Sequence, residues 1–301
     1  MTQASNQPRI TELLDHQLLS YIERMRLNPN RRLTNRSRGE HLRGRSGQSN
    51  EFADYRDYTA GDDVRFIDWN IFARLRRPYL KIFQQEEEMH VTVLIDASTS
   101  MTFEDKLTRA KQLAAAFGVM GLMNLERVSV YAFNQRNNGI GVLRPCIGRQ
   151  SMRKLFAFIE KIEGGGEAPL DEAIDLMLTR HRGRGIAVVL SDFLTHGDLR
   201  RSFNVLHSAG LEPFAIQILG PTELDPELTG DLRMIDSETG QMLDVSAAGD
   251  LIGLYHEYRE NFTRNLEQLT RHRSGRFVCI NAGDDLRHIL FDVLRRRGWV
   301  R

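Results

Sequence analysis

The sequence predicts an α/β protein: an open, mostly parallel sheet of five or six strands with helices on both faces, preceded by a small N-terminal β-containing extension. Three observations carry this. Strand-like and helix-like segments alternate from residue 91 onward, the pattern of parallel strands joined by right-handed helical crossovers. The runs VTVLI at 91–95 and IAVVL at 186–190 are almost continuously apolar, as strands buried on both faces must be. The chain has 301 residues and 41% hydrophobic content, enough for one large or two modest domains and too much for whole-chain disorder.

Residues 10–25 read as a short amphipathic helix, with Ile10, Leu13, Leu14, Leu18, Tyr21 and Ile22 on one side and Thr11 with Asp15 as a start signal. Residues 27–50 are rich in Arg, Asn, Ser and Gly and read as an extended connector. Residues 1–48 hold nine arginines against Glu12, Asp15, Glu23 and Glu40, a net of +5, so the rest of the +1 chain carries −4. The basic charge therefore belongs to an arm, which is either a solvated linker or a surface for phosphate or an acidic partner. In residues 51–90 the aromatics Phe52, Tyr55, Tyr58, Phe66 and Trp69 alternate with charges, which suits short strands, and Ala60-Gly61-Asp62-Asp63 marks a turn. The acids there (Asp54, Asp57, Asp62, Asp63 and Asp68) find nearer use as ion-pair partners of Arg56, Arg65 and Arg74 than as catalytic carboxylates. Domains are accordingly expected at 1–48, 49–90 and 91–301.

Beyond residue 91, strands are expected at 90–96, 127–133, 139–147, 185–194, 212–219 and 276–281. Helices are expected at 105–126, 149–163, 169–180, 199–209, 250–272 and 285–297, and two further strands flank a Glu-Thr-Gly turn within 232–245. On the last helix Leu286, Ile289, Leu290 and Val293 share one side, so it is expected to dock on the sheet.

Several function classes are disfavoured. Cys146 and Cys279 are the only cysteines and have no metal or redox spacing, so both are expected as reduced thiols in apolar strands, which suits a cytoplasmic protein. There is no apolar run of membrane-spanning length and no basic-then-apolar leader at the start. Gly164-Gly165-Gly166 lacks the lysine and spacing of a phosphate loop. No histidine shows metalloprotease spacing or a place beside a nucleophile elbow.

In an open α/β sheet, ligands bind at the carboxyl ends of the strands. Two strands here end in acids, one in Asp96-Ala97-Ser98-Thr99-Ser100-Met101 and one in Ser191-Asp192. Asp96, Ser98 and Ser100, spaced by two, can converge on one point from a loop. Carboxylate and hydroxyl oxygens are hard ligands suited to Mg²⁺ or Mn²⁺, and Asp192 can join them from its own strand end. The competing structural role for these hydroxyls is helix capping in a tight turn, but Thr102 with Asp105 already offers capping-box chemistry for the next helix, which frees Ser98 and Ser100 for another use. An aspartyl-phosphate enzyme would need an acid two residues after Asp96, where Ser98 stands.

Asp96-x-Ser98-x-Ser100-Met101 after an apolar strand resembles the metal-ion-dependent adhesion site of von Willebrand factor A domains, a Rossmann-like fold. GDDVRFIDWNIFAR, with the preceding EFADYRDY and the following LKIFQQEEE, resembles the signature of the domain of unknown function 58 family, whose signature lies just upstream of such a module. The resemblance spans residues 47–280. It implies a metal site of Asp96, Ser98, Ser100 and Asp192 and no catalytic residues. It also implies a non-enzymatic, cytoplasmic interaction module associated with a MoxR-type AAA+ ATPase in assembly or remodelling of other proteins. The family's second-loop Thr ligand is absent: the matching stretch is Gly164 to Leu170, with Glu167 as the nearest oxygen donor. The alternatives are nucleic-acid binding through Arg31, Arg32, Arg36, Arg38, Arg43 and Arg45, which salt would weaken steeply, and a metal-dependent hydrolase.

Overall fold

The structure, a computed structural model, describes residues 11–30, 34–37, 50–86, 89–136, 139–226, 232–235, 242–245 and 249–301. In chain order these form helix α1 (His16–Ile22), strands β1 (Thr34–Ser37) and β2 (Asn50–Asp57), helix α2 (Trp69–Leu75), and strands β3 (Tyr79–Glu86) and β4 (His90–Asp96). Helix α3 (Lys106–Met123), β5 (Arg127–Phe133), β6 (Gly141–Cys146), α4 (Met152–Glu160), α5 (Leu170–Arg180), β7 (Gly185–Ser191), α6 (Leu199–Ser208) and β8 (Leu211–Leu219) follow. The remainder is α7 (Pro221–Leu224), β9 (Leu232–Ile235), β10 (Met242–Val245), α8 (Gly249–Arg271), β11 (Arg276–Asn281) and α9 (His288–Leu294).

The chain divides into two units, Met1–Asn30 with Met89–Arg301, and Arg31–Glu88. In the large unit, six strands lie in the order β11-β8-β7-β4-β5-β6. All neighbours are parallel except the edge pair β5–β6, which is antiparallel. This is the expected von Willebrand A-like sheet with helices on both faces. Period-two alternation splits each central strand between two cores. Val91, Val93 and Ile95 of β4 and Ile186, Val188 and Leu190 of β7 pack with α1, α3, α4 and α9. Leu94, Ala187 and Val189 pack with α5, α6 and α8. Each large side chain so buried contributes about 1.5–3 kcal/mol. Helix α9 docks as expected, through Ile289 and Leu290, but its bonds run i→i+5, as in Arg295 N–H to Leu290 O at 3.2 Å. Cys146 and Cys279 lie in β6 and β11 as free thiols, and burial pushes Cys279 up to about 11. Strands β9 and β10 pair antiparallel as expected, the turn between them lying outside the described residues. No helix among the described residues is long and apolar enough to cross a membrane.

The division differs from the boundary expected at residue 48. Leu14, Leu18, Leu19 and Ile22 around α1 are buried in the large unit's core, so this segment is part of the sheet domain. Asp15, not Thr11, caps α1 by accepting from Leu18 N–H at 2.7 Å, while Thr11 donates to Glu160. Ile10, the arginines Arg31, Arg32, Arg38, Arg43 and Arg45, and the side chain of Arg36 lie outside the described residues.

The small unit is a three-stranded antiparallel sheet in the order β1-β3-β2. Strands were expected through Trp69, but residues 69–75 are helical. Asp68 caps this helix by accepting from Asn70 and Ile71 N–H, and Arg76 ends it at a left-handed φ of 55°. The expected ion pairs form for Arg56–Asp62 (2.8 Å) and Arg65–Asp63, whereas Asp68 pairs with Lys81 rather than Arg74. Arg56 and Thr59 hold the Asp62 carboxyl well below its ordinary value, and Arg65 lowers Asp63 to about 2. Burial raises the Asp68 pKa, but hydrogen bonds from Lys81, Tyr55 and backbone N–H groups outweigh it. Carboxyls depressed on folding stabilise above their unfolded value of 3.8 and lose that contribution as pH falls through the folded value. The small unit is therefore expected to lose stability as pH falls from about 4 to about 2, with a smaller loss in high salt, which screens these surface pairs. Amide hydrogen exchange of β2 and β3 checks this, and protection unchanged between pH 4 and pH 2, after correction for the intrinsic exchange rate, would contradict it.

Candidate site at the carboxyl rim of the sheet

Asp96 ends β4 and is buried. Its Oδ1 accepts from Ser98 N–H at 2.9 Å and from Asn134 Nδ2 at 3.2 Å, and its Oδ2 accepts from Ser191 Oγ at 2.6 Å. Ser98 and Ser100 share a hydrogen bond between their hydroxyls at 3.0 Å. The hydroxyls thus face each other instead of capping a helix, and Thr99, the cap of the 3-10 turn Ser100–Asp105, makes no side-chain capping bond. The expected capping box is also absent. Thr102 Oγ1 donates to Thr99 O, and Asp105 sits at φ 58° with no capping bond. Glu104 and Asp105 both have left-handed backbones, costing about 1–2 kcal/mol each. This kink delivers the next residue, Lys106, beneath the rim as the first residue of α3.

Lys106 is fully buried. Its Nζ donates to Asp192 Oδ2 at 2.9 Å and to Glu223 Oε1 at 2.6 Å. Burial lowers the ammonium's pKa, but Asp192 and Glu223 outweigh it and hold it above 10.5. Asp192, just past β7, is 1% exposed, and its Oδ1 accepts from Leu194 N–H at 3.0 Å. Glu223 on α7 also accepts from Gly220 N–H through Oε2. Burial first, and the Asp192 charge second, push the Asp96 carboxyl above its ordinary value.

The glycine loop works by close approach. Gly165 N–H bonds Ala97 O at 2.8 Å, Thr99 N–H bonds Gly166 O at 3.1 Å, and Gly166 N–H bonds Asn134 O at 2.9 Å. A Cβ on Gly166 would stand 2.8 Å from Asn134 backbone atoms, and one on Gly164 2.6 Å from Thr102 Cγ2. The Asn134 side chain closes the loop on Ala168, donating to its O and accepting from its N–H.

The structure thus joins Asp96, Ser98 and Ser100 in one loop and sets Asp192 near enough for its charge to act on Asp96. Sequence reasoning missed Lys106, Asn134, Ser191 and Glu223. Asn134 and Ser191 follow or end apolar strands and were findable on that ground, whereas nothing local marks Lys106. Among the described residues no three His, Cys, Asp or Glu side chains gather as a metal cluster. Paired hydroxyls beside a buried carboxylate nevertheless fit a hard divalent cation that takes few protein ligands. The second loop offers no hydroxyl, and Glu167 is exposed.

Strand order, the antiparallel edge and the Asp-x-Ser-x-Ser turn together define a von Willebrand A-like domain. The chain belongs to the family described as "Protein of unknown function DUF58", which matches residues 54–268, more than half of it. Uncharacterized protein Rv1480 of Mycobacterium tuberculosis and uncharacterized protein Mb1516 of Mycobacterium bovis are each 27% identical over 237 residues, 77% of this chain and 74% of theirs. Among solved structures, the conserved hypothetical protein BatB from Bacteroides thetaiotaomicron aligns at 13% identity and TM-score 0.43, over 69% of this chain and 98% of that one. The SpRpn10 VWA domain aligns at 15% identity and TM-score 0.41, over 68% and 95%.

Proposed function

We propose that this chain is a non-enzymatic, cytoplasmic protein-interaction module whose rim takes Mg²⁺ or Mn²⁺ at Asp96, Ser98, Ser100 and Asp192. The carrying observation is the bonded hydroxyl pair of Ser98 and Ser100 beside the buried Asp96 carboxylate. A bound divalent ion supplies a Lewis-acidic position for a carboxylate of a partner. The residues around it act by shape: Asn134 and the Gly164–Gly166 loop hold the rim closed about the two serines. A non-enzymatic reading is supported by the serine hydroxyls, which bond each other rather than an imidazole or a carboxylate base. The partner proposed is a MoxR-type AAA+ ATPase, with the pair acting in assembly or remodelling of other proteins.

The test is affinity for such an ATPase from the same genome, measured with Asp96→Ala and, separately, with chelator. Each is expected to weaken binding at least tenfold, about 1.4 kcal/mol. Unchanged affinity in both removes the metal bridge.

A further inference from the structure

We infer that Lys106 is a built-in rival of the divalent cation: it neutralises Asp192 from inside the protein and so sets how tightly the rim holds metal. The inference rests on the metal reading above and names what regulates that site.

Three observations carry it. Lys106 is fully shielded from water, and its ammonium lies 2.9 Å from the Asp192 carboxylate that the cation would share. An ammonium so buried requires an anionic partner, because its desolvation is otherwise uncompensated. Both Asp192 oxygens are engaged, one by Lys106 and the other by Leu194 N–H. A cation can therefore claim Asp192 only by displacing or sharing an existing bond. Glu223 makes that exchange feasible. At 2.6 Å it keeps the ammonium paired when Asp192 turns to another charge, and its own position is held by Gly220 N–H.

The charges point the same way. Asp96 and Asp192 draw a divalent cation to the rim, whereas the Lys106 ammonium beside Asp192 repels it. Removing the ammonium leaves the attraction and deletes the repulsion. At the effective dielectric of protein sites, one unit charge a few ångströms away is worth well over tenfold in affinity.

The experiment is calorimetric titration of the full chain with MnCl₂, for the wild type, Lys106→Gln, and Lys106→Gln with Asp96→Asn. Lys106→Gln is expected to bind Mn²⁺ at least about tenfold more tightly than wild type, and Asp96→Asn is expected to abolish the gain. Should Lys106→Gln not fold in chelator, Mn²⁺ is expected to restore its melting transition by replacing the lost positive charge.

Folded Lys106→Gln that binds no more tightly than wild type overturns the inference, whether or not either takes up metal. So does tight binding that survives Asp96→Asn, or a variant unfolded with and without Mn²⁺. The underlying metal reading fails separately. Wild type without Mn²⁺ uptake, beside Lys106→Gln with it, refutes the native metal site and supports Lys106 as the rival.

Discussion

Asp192→Ala is expected to destabilise the large unit by about 3 kcal/mol, the lower end of the cost of breaking a buried ion pair. The substitution leaves the fully buried Lys106 ammonium with Glu223 alone, and Glu223 is the more exposed of its two partners. It also removes the acceptor for Leu194 N–H beside Phe193, whose backbone is already left-handed at φ 61°. Urea unfolding of Asp192→Ala, Lys106→Met and the double variant measures the coupling. The double variant is expected to lose much less than the sum of the two, because no unpaired ammonium remains. Additivity within about 0.5 kcal/mol would show that the pair is not coupled. The sign of the pH dependence follows from the raised pKa of Lys106. A lysine raised on folding stabilises fully below its unfolded pKa and loses that contribution only as pH rises past the folded value. The Lys106 contribution to the stability of the wild type is therefore expected to be the same at pH 6 and pH 8.

Trp299→Ala is expected to cost about 3–5 kcal/mol, the range for deleting a buried aromatic. Trp299 is 2% exposed and packs edge-on against Phe214 of β8, with ring centroids 4.9 Å apart. Arg276 lies over Phe214 at 5.3 Å and donates to Gly298 O and Asn30 Oδ1. Backbone bonds tie Arg26 to Arg301 in both directions, and Asn28 N–H to Trp299 O at 2.9 Å. The residues after α1 and the residues after α9 thus clasp each other under the start of β8, and Trp299 is the apolar anchor. Thermal melting checks this. Trp299→Phe, which retains a ring against Phe214, is expected to lose less than Trp299→Ala. A loss under about 1 kcal/mol in Trp299→Ala would show that the clasp contributes little.

The apolar runs of β4 and β7 announce central strands by local composition, and an acid at or just past each run places Asp96 and Asp192 on the carboxyl rim. The helices of the large unit follow from their 3.6-residue periodicity. Helix α2 was expected as strand because Trp69 closes a run of aromatics that alternates with charges, and its seven residues, about two helical turns, are too few for periodicity to decide. The Asp68 cap decided it, and that cap acts through geometry rather than periodicity. The hydroxyls of Ser98 and Ser100 were legible as a pair, but that they bond each other instead of capping a helix is visible only in the folded loop.

The amino-acid order by itself determined the sheet, its helical layers and the Asp96-Ser98-Ser100 turn, because periodicity and strand-end residues act over a few positions. Only the tertiary structure decided that α1 belongs to the sheet domain and that Lys106 is buried against Asp192 and Glu223. Lys106 finds those partners 86 and 117 residues away. Its burial is compensated only by charges that the parallel crossovers bring to one rim, and no local pattern encodes that meeting.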